Sequence, residues 1–394
     1  MALAKLVLKK GKEKSILNRH PWIFSGAVAQ LPKVEEGTIV EIVSAEQQFL
    51  AYGFYSAKSQ IVARLFEWGK QSDEIIFEKE YWIDKVQKAY LLRKNLLDFN
   101  VTNTYRLIHA EGDFFPGVIV DVYDKVAVIQ LLTRGTEKIS NAIQAALEHI
   151  GFQYIYLKAK TSSMVLEDVR TGSGWLKGEV VVPVTVKENN VQFEVDFIDG
   201  QKTGFFIDQR DNRQLVGHYS KGKRVLNTFC YTGGFCSYAA ANEALSIDSV
   251  DISKDAVAKA AQNVRLNNST IEHQAIAADC FDFLGEIPKD HYDIIILDPP
   301  AFAKSAKAVA NATRGYKQIN LKAFRKIKSG GLLFTFSCSQ NIDKVLFQKI
   351  VFGAAADAGR NVRIIHQLHQ PLDHPINIYH PESEYLKGLV LYVE

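Results

Sequence analysis

Apolar and polar residues alternate, or fall in short apolar blocks, from the start of the chain to about Gly69, in "AKLVLKK", "GTIVEIVS", "FLAYGFYS" and "QIVARLFEW". Punctuated by Gly11, Gly26, Pro32, Gly37 and Gly53, these read as the short strands of a small β-barrel. From about Asp73 the period lengthens. Ile76, Trp82, Ile83, Val86, Tyr90 and Leu91 recur near helical spacing through "IIFEKEYWIDKVQKAYLLRKNLL", which predicts a helix. Strands in "GVIVDVY" and "KVAVIQLL", a helix in "KISNAIQAALEHI" and a strand in "YIYLKAK" then make a compact α+β unit ending near Gly178.

After "VVPVTVKENNVQFEVDF" strands and helices alternate. "RVLNTFC" precedes a helix from about Phe235, "IDSVDIS" precedes "KDAVAKAAQNVRLNN", "HYDIIILDPP" precedes a helix near Tyr316 to Lys328, and "GLLFTFSCS" precedes "VLFQKIVFGAAADA". Apolar strands alternating with amphipathic helices imply a parallel sheet covered on both faces. Ligands of such sheets bind beyond the carboxyl ends of the strands, so functional residues are expected just after each strand.

Composition narrows the class. The 394 residues are 47% hydrophobic and 23% charged, ordinary for a globular chain of two or three domains. Cys230, Cys236, Cys280 and Cys338 give neither a disulfide framework nor zinc spacing, and a reduced cytosolic setting follows as the expectation. No stretch approaches the roughly 18 continuous apolar residues of a membrane span. A net charge of +3 is mild, so nucleic-acid binding has to be argued from where the charge lies. Lys5, Lys9, Lys10, Lys12, Lys14 and Arg19 crowd the first twenty residues against Glu13 alone, with Trp22 and Phe24 just beyond. That run reads either as a solvated basic edge or as a grip on an RNA backbone.

In "LNTFCYTGGFCSYAA", Gly233 and Gly234 stand between a strand and its helix, where a missing side chain admits a ligand to the backbone and the helix N-terminus. The next strand ends at Asp251, suited to two ribose hydroxyls. Asp279 follows the third strand, placed to meet an adenine amino group or to cap a helix. The three favour an adenosine ligand. With no third glycine to complete a dinucleotide fingerprint and "DPP" farther on, S-adenosylmethionine is favoured over NAD.

"IILDPPAFAKS" carries the chemistry. Asp298 leaves an apolar strand, where a carboxylate needs a partner; Pro299 and Pro300 stiffen the exit and leave carbonyls facing outward; Phe302 is available to stack on a base. "GGLLFTFSCSQNID" ends a strand at Cys338. A lone cysteine there is usually a small core residue, but strands ending at Asp298 and Cys338, if adjacent, bring an acid and a thiol to one crevice. C5 of a pyrimidine attacks a methyl group only after a nucleophile has added at C6, and an acid at N3 eases that addition.

These stretches, with "HPWIFSGAV", "DGQKTGFFIDQRDNR", "RGYKQIN" and "HPESEYLKG", resemble over essentially the full length the bacterial ribosomal RNA large subunit methyltransferase I family, S-adenosylmethionine-dependent 5-methylcytosine enzymes with an N-terminal PUA domain. The resemblance implies an α/β fold: a C-terminal class I methyltransferase domain with a Rossmann-like, mostly parallel seven-stranded sheet over residues 186–394, a PUA-like RNA-binding barrel over 1–70, and a central α+β domain over 73–185. It implies Cys338 as nucleophile and Asp298 as its acid. Asn227, Tyr231, Gly233, Gly234, Asp251, Asp279, Asp298 and Pro299 are then expected around the cofactor, and Phe302, Lys202, Lys9, Lys10 and Lys12 on the substrate. Large-subunit ribosomal RNA is the expected partner, in the cytoplasm, with no membrane and no metal; a homodimer is a further expectation.

One departure matters. A related group of RNA cytosine methyltransferases places a second cysteine just after the motif aspartate to release product; here Ala301 follows Pro300. His366, His369, His374 and His380 match no standard metal spacing. Methylation of uracil C5 or of an exocyclic amine, and a non-catalytic RNA-binding assembly factor, stay open as alternatives.

Overall fold

The computed structural model describes residues 3–69, 77–159, 169–303 and 305–394. Ile76 of the predicted helix and Lys304 of "AFAKS" lie outside them. The chain divides into two compact units, one of Met1–Val184, Val195–Gly204 and Leu372–Ser383, the other of Thr185–Glu194, Phe205–Pro371 and Glu384–Glu394.

In the first unit, β1 (Lys5–Leu8), β2 (Trp22–Phe24), β3 (Val28–Gln30), β4 (Ile39–Val43), β5 (Phe49–Tyr55) and β6 (Ile61–Trp68) form one sheet in the order β2-β6-β5-β4-β1-β3. Its alternating apolar residues, among them Leu6, Leu8, Ile23, Val40, Ile42 and Leu65, make one core cluster. A helix, Lys79–Leu96, leads to β7 (Thr104–His109), β8 (Val118–Tyr123), β9 (Val126–Leu131), β10 (Tyr154–Leu157) and β11 (Gly174–Lys177), a second sheet in the order β11-β10-β9-β8-β7. Trp82 of that helix stacks on Phe54 of the first sheet at 5.8 Å and on Phe115 at 5.3 Å, so both sheets of this unit share apolar packing. Arg93, fully buried, donates to Asp113 (2.8 Å) and to the Asp373 carbonyl (2.7 Å), which ties the segment Leu372–Ser383 into the same unit.

The second unit opens with the pair β12 (Val184–Glu188) and β13 (Val191–Val195). Asn189 and Asn190 both take positive φ, 49° and 65°, the pattern of a two-residue hairpin turn. Then come β14 (Arg224–Thr228), β15 (Ser246–Asp251), β16 (Glu272–Ala277), β17 (Ile294–Leu297), β18 (Gly331–Ser337), β19 (Val362–Leu368) and β20 (Lys387–Val393) in a seven-stranded sheet ordered β16-β15-β14-β17-β18-β20-β19. The first five are parallel, and β20 runs antiparallel to both neighbours. The mostly parallel seven-stranded α/β expectation holds.

Burial on two faces explains the apolar runs. Ile294 and Ile296 pack with Val216, Ala239, Val257 and Val264 on one face, while Ile295 and Leu297 pack with Tyr316, Ile319, Phe324 and Phe347 on the other. The helix expected near Tyr316 begins earlier, at Val309, and ends at Lys326. Strands β2, β3, β7, β11, β19 and β20 are additions to the elements read from the pattern.

Arg213 and Glu188 are buried as a bidentate pair, 2.9 and 2.7 Å, joined by the Tyr238 hydroxyl at 3.1 Å. Arg213→Ala leaves the Glu188 carboxylate buried without its cation and is expected to destabilise this unit by about 3–5 kcal/mol. The combined Glu188→Leu, Arg213→Met variant is expected to recover most of that loss in urea unfolding; equal losses in both would show that charge pairing is not what holds the hairpin.

Candidate active site

At the carboxyl end of β14 the chain turns sharply. Phe229 and Tyr231 adopt left-handed backbone, φ 55° and 48°, a conformation costing about 1–3 kcal/mol per non-glycine residue and concentrated at functional sites. Three contacts impose it. The Phe229 N–H donates to Cys280 Sγ (3.2 Å), the Cys230 N–H to the Val250 carbonyl (3.0 Å), and the Tyr231 N–H to Asp251 Oδ2 (3.0 Å). Asp251, at the end of β15, also accepts the Ser253 N–H through Oδ1 at 3.0 Å. It thus ties two turns together while half-exposed at the edge.

Gly233 stands at φ 79°, and a Cβ there would lie 2.8 Å from that of Ala260. The glycine is required by the left-handed turn and, on the side a Cβ would occupy, by close packing against Ala260. Gly234 begins the helix Gly234–Ala241. Asn227 is fully buried; its Nδ2 donates to Cys236 Sγ (3.2 Å), and its Oδ1 has no hydrogen-bond partner. Asp279 is exposed and caps the helix Cys280–Glu286, one oxygen accepting the Phe281 and Asp282 N–H groups at 2.7 and 3.2 Å. The capping alternative is therefore realised, with the second carboxylate oxygen left over from it.

Strands β17 and β18 are neighbours in parallel register, Leu297 opposite Thr335. Asp298, half-buried, and Cys338, half-buried, leave the same edge of adjacent strands. Their exit loops are sewn together around Ser339, whose Oγ accepts the Ala303 N–H (3.2 Å) and lies 3.0 Å from the Tyr316 hydroxyl. Asn341 Nδ2 adds a bond to the Ala303 carbonyl at 3.4 Å. Pro299 is buried and Pro300 exposed. Phe302 packs its ring 4.6 Å from Tyr316 and against Gly315, leaving it half-buried. Next in the chain to Cys338, the Ser339 carbonyl accepts from Lys387 Nζ at 2.7 Å.

Residues 105–380 match the S-adenosylmethionine-dependent methyltransferase family, and residues 6–68 a PUA-like domain. Ribosomal RNA large subunit methyltransferase I of Aeromonas hydrophila subsp. hydrophila is 41% identical over 395 residues, 98% of this chain and 99% of that one. The enzyme of the same name from Alteromonas mediterranea is 40% identical over 392 residues, 98% of each. The crystal structure of SMU.776, a methyltransferase complexed with SAH, matches with a TM-score of 0.84 at 25% identity over 100% of both chains. The chain belongs to the ribosomal RNA large subunit methyltransferase I family. It is an S-adenosylmethionine-dependent methyltransferase with a PUA-like N-terminal domain.

The residues at this edge suit that cofactor. The buried Asn227 Oδ1, without a hydrogen-bond partner, lies in β14, and the acidic side chains Asp251 and Asp279 stand at and just past the ends of β15 and β16, the next two strands of the sheet. Sequence reasoning passed over Tyr316, Ser339 and Lys387. Each lay within or beside a matched stretch ("RGYKQIN", "FSCS", "YLKG"), which was the available signal. Lys202, exposed with φ 52°, and Lys9, Lys10 and Lys12, all exposed, belong to the first unit, with Lys9 Nζ on the Gly26 carbonyl at 3.0 Å. His366 bonds the Tyr219 hydroxyl (2.8 Å). Among the described residues one group of metal-ligating side chains converges, His20, His380 and Glu382, with atoms within 4.8 Å of one another; chain spacing conceals it.

Burial separates the thiols. It pushes Cys236 to about 11 and Cys280 to about 12, and raises Cys230 well above the ordinary range. Only Cys338 is not fully buried. In the folded chain at about pH 7.5 iodoacetamide, which needs an accessible thiolate, is expected to label Cys338 alone. Peptide mass spectrometry checks this, and equal labelling of Cys280 would overturn the assignment of reactivity.

Proposed function

We propose that the chain methylates C5 of a cytosine in large-subunit ribosomal RNA, with Cys338 adding to C6 and Asp298 facing N3. The relatives named above carry ribosomal RNA in their names, and the cytoplasm is the corresponding setting. What supports the chemistry is the juxtaposition of a half-buried thiol and a half-buried carboxylate at the ends of neighbouring parallel strands. S-adenosylmethionine, when bound, supplies a methyl group on a positively charged sulfur.

The chain's residues do the rest. Asn227, Tyr231, Gly233, Gly234, Asp251, Asp279, Asp298 and Pro299 surround the cofactor, Asp251 accepting from ribose. Cys338 attacks C6, the C5–C6 π pair shifts toward C4, and N3 takes a proton or hydrogen bond from Asp298. Phe302 borders the base. Lys9, Lys10 and Lys12 with Lys202 meet RNA phosphates, in keeping with a PUA-like part near residues 1–70 and a central part over 73–185 serving the methyltransferase part. A uracil enzyme would use the same thiol, whereas an amine-methylating enzyme would leave it idle.

Cys338→Ser is expected to fold and bind S-adenosylmethionine normally while methyl transfer collapses, because a hydroxyl lacks the acidity of a thiol. Wild-type protein is expected to form a covalent adduct with RNA bearing 5-fluorocytosine at the target, dependent on S-adenosylmethionine and absent in the serine variant. Near-normal turnover of Cys338→Ser would move the reading to the amine-methylating class, and nucleoside mass spectrometry of ribosomal RNA names the product.

Asp251→Asn keeps one carbonyl oxygen for the Tyr231 or Ser253 N–H but loses the charge. Calorimetry is expected to show S-adenosylmethionine binding weakened by about 1.5–3 kcal/mol; unchanged affinity would remove Asp251 from the pocket.

A further inference from the structure

Lys387 is the first residue of β20 and pairs with Ser337, the last residue of β18. The residue is 5% exposed, unusual for lysine, which is almost never buried unless paired. The 2.7 Å bond to the Ser339 carbonyl fixes the ammonium beside the residue that follows Cys338. One carbonyl does not replace the hydration of an ammonium, so this burial calls for a negative charge nearby.

We propose that Lys387 sets the charge state of Cys338: the buried ammonium, held at the Ser339 carbonyl, pairs with the Cys338 thiolate and readies it for attack. This deepens the proposed function and rests on Cys338 being its nucleophile. Burial lowers Lys387 to about 8, and Cys338 leads the groups that pull it back, followed by Glu384 and Asp343, while Lys344 pushes it down. Glu384 is already salt-bridged to Lys344, which leaves the thiolate and Asp343 as the anions not shared with that second cation. The Tyr316 phenol is raised by burial and stays neutral, whereas Asp298, leaving the neighbouring strand β17 at the same edge, is a third carboxylate facing this turn.

The proton ledger is simple. The thiol proton passes to the Lys387 amine, giving thiolate and ammonium. The thiolate forms the S–C6 bond; after the methyl group has joined C5, water takes the C5 proton, the C5–H pair re-forms the C5–C6 double bond, and the S–C6 pair returns to sulfur and restores the ion pair. Lys387 touches no substrate atom in this scheme; it acts through Cys338.

The test is the pH dependence of Cys338 alkylation by iodoacetamide in the full chain, read on the Cys338 peptide. Wild-type protein is expected to show a midpoint below the free-thiol value of about 8.5. Lys387→Met is expected to raise that midpoint by at least about one unit, slowing alkylation and methyl transfer near neutrality by about tenfold, with the loss shrinking as pH rises. Lys387→Arg, which keeps a cation, is expected to hold the midpoint low. A purely structural lysine would change the alkylation rate at every pH without moving the midpoint, and that outcome overturns the proposal. A wild-type midpoint at or above about 8.5 overturns it without recourse to any variant, so misfolding of Lys387→Met does not shield it. Should Cys338→Ser retain turnover, the nucleophile assignment falls while the alkylation midpoints still decide whether Lys387 governs the thiol.

Discussion

Parallel strands all end on one edge, and in the C-terminal unit the register that sets this edge is enforced by packing on both faces. Ile294 and Ile296 fill one apolar cluster while Ile295 and Leu297 fill the other. A slip of one residue against β14 or β18 would exchange the two sets and break both clusters at once. Because the strands are apolar almost throughout, the first position able to carry a working polar group is the one after the strand. That is where Asp298 and Cys338 stand. The hydrophobic core thus fixes the site before any hydrogen bond at the site is made.

The hydrogen bonds then fix orientation. Ser339 Oγ, between the Ala303 N–H and the Tyr316 hydroxyl, couples the exit loop of β17 to that of β18, so the carboxylate and the thiol are held by a shared frame instead of by two independent loops. On the other side, Asp251 and Cys280 hold the left-handed turn after β14. Cys280 serves as an acceptor for a backbone N–H and Cys236 as one for Asn227, uses that suit a buried, protonated thiol. The four cysteines therefore divide by solvent access into three buried within the fold and one, Cys338, only half-buried.

Much of this was legible in sequence because it rests on short-range pattern. The runs "IIIL" and "GLLFTFS" could only be strands buried on both faces, and the residues following them could be named. Less was legible where the cause lies far along the chain. Trp22–Phe24 is a three-residue strand that exists because β6 pairs with it, and "TYRLIH" carries Arg106, whose charge is met by Asp121 on β8 (2.7 Å). That Gly233 also needs to be glycine because Ala260 packs 2.8 Å from where its Cβ would stand was not legible, since Ala260 sits on a helix whose placement no local signal gives. Asp279 was ambiguous for a physical reason: a helix cap and a ligand acceptor require the same oxygen atoms at the same place. The placement of Lys387 was not legible, since nothing in "YLKG" indicates that its ammonium reaches the carbonyl of Ser339.

The position of Lys387 follows from the one strand that breaks the parallel rule. Strands running with the others deliver only their last residues to the carboxyl edge, through loops that must also cross back to the next helix. β20 runs the opposite way between β18 and β19, so its first residue arrives at that edge still anchored in the sheet ladder, opposite Ser337. A side chain placed by strand pairing is held more firmly than one placed by a loop, and lysine's length lets its ammonium reach past the facing strand end to the Ser339 carbonyl. An antiparallel insertion at this place in the sheet thus brings a buried cation, anchored by strand pairing, to the edge where the strand before Cys338 ends.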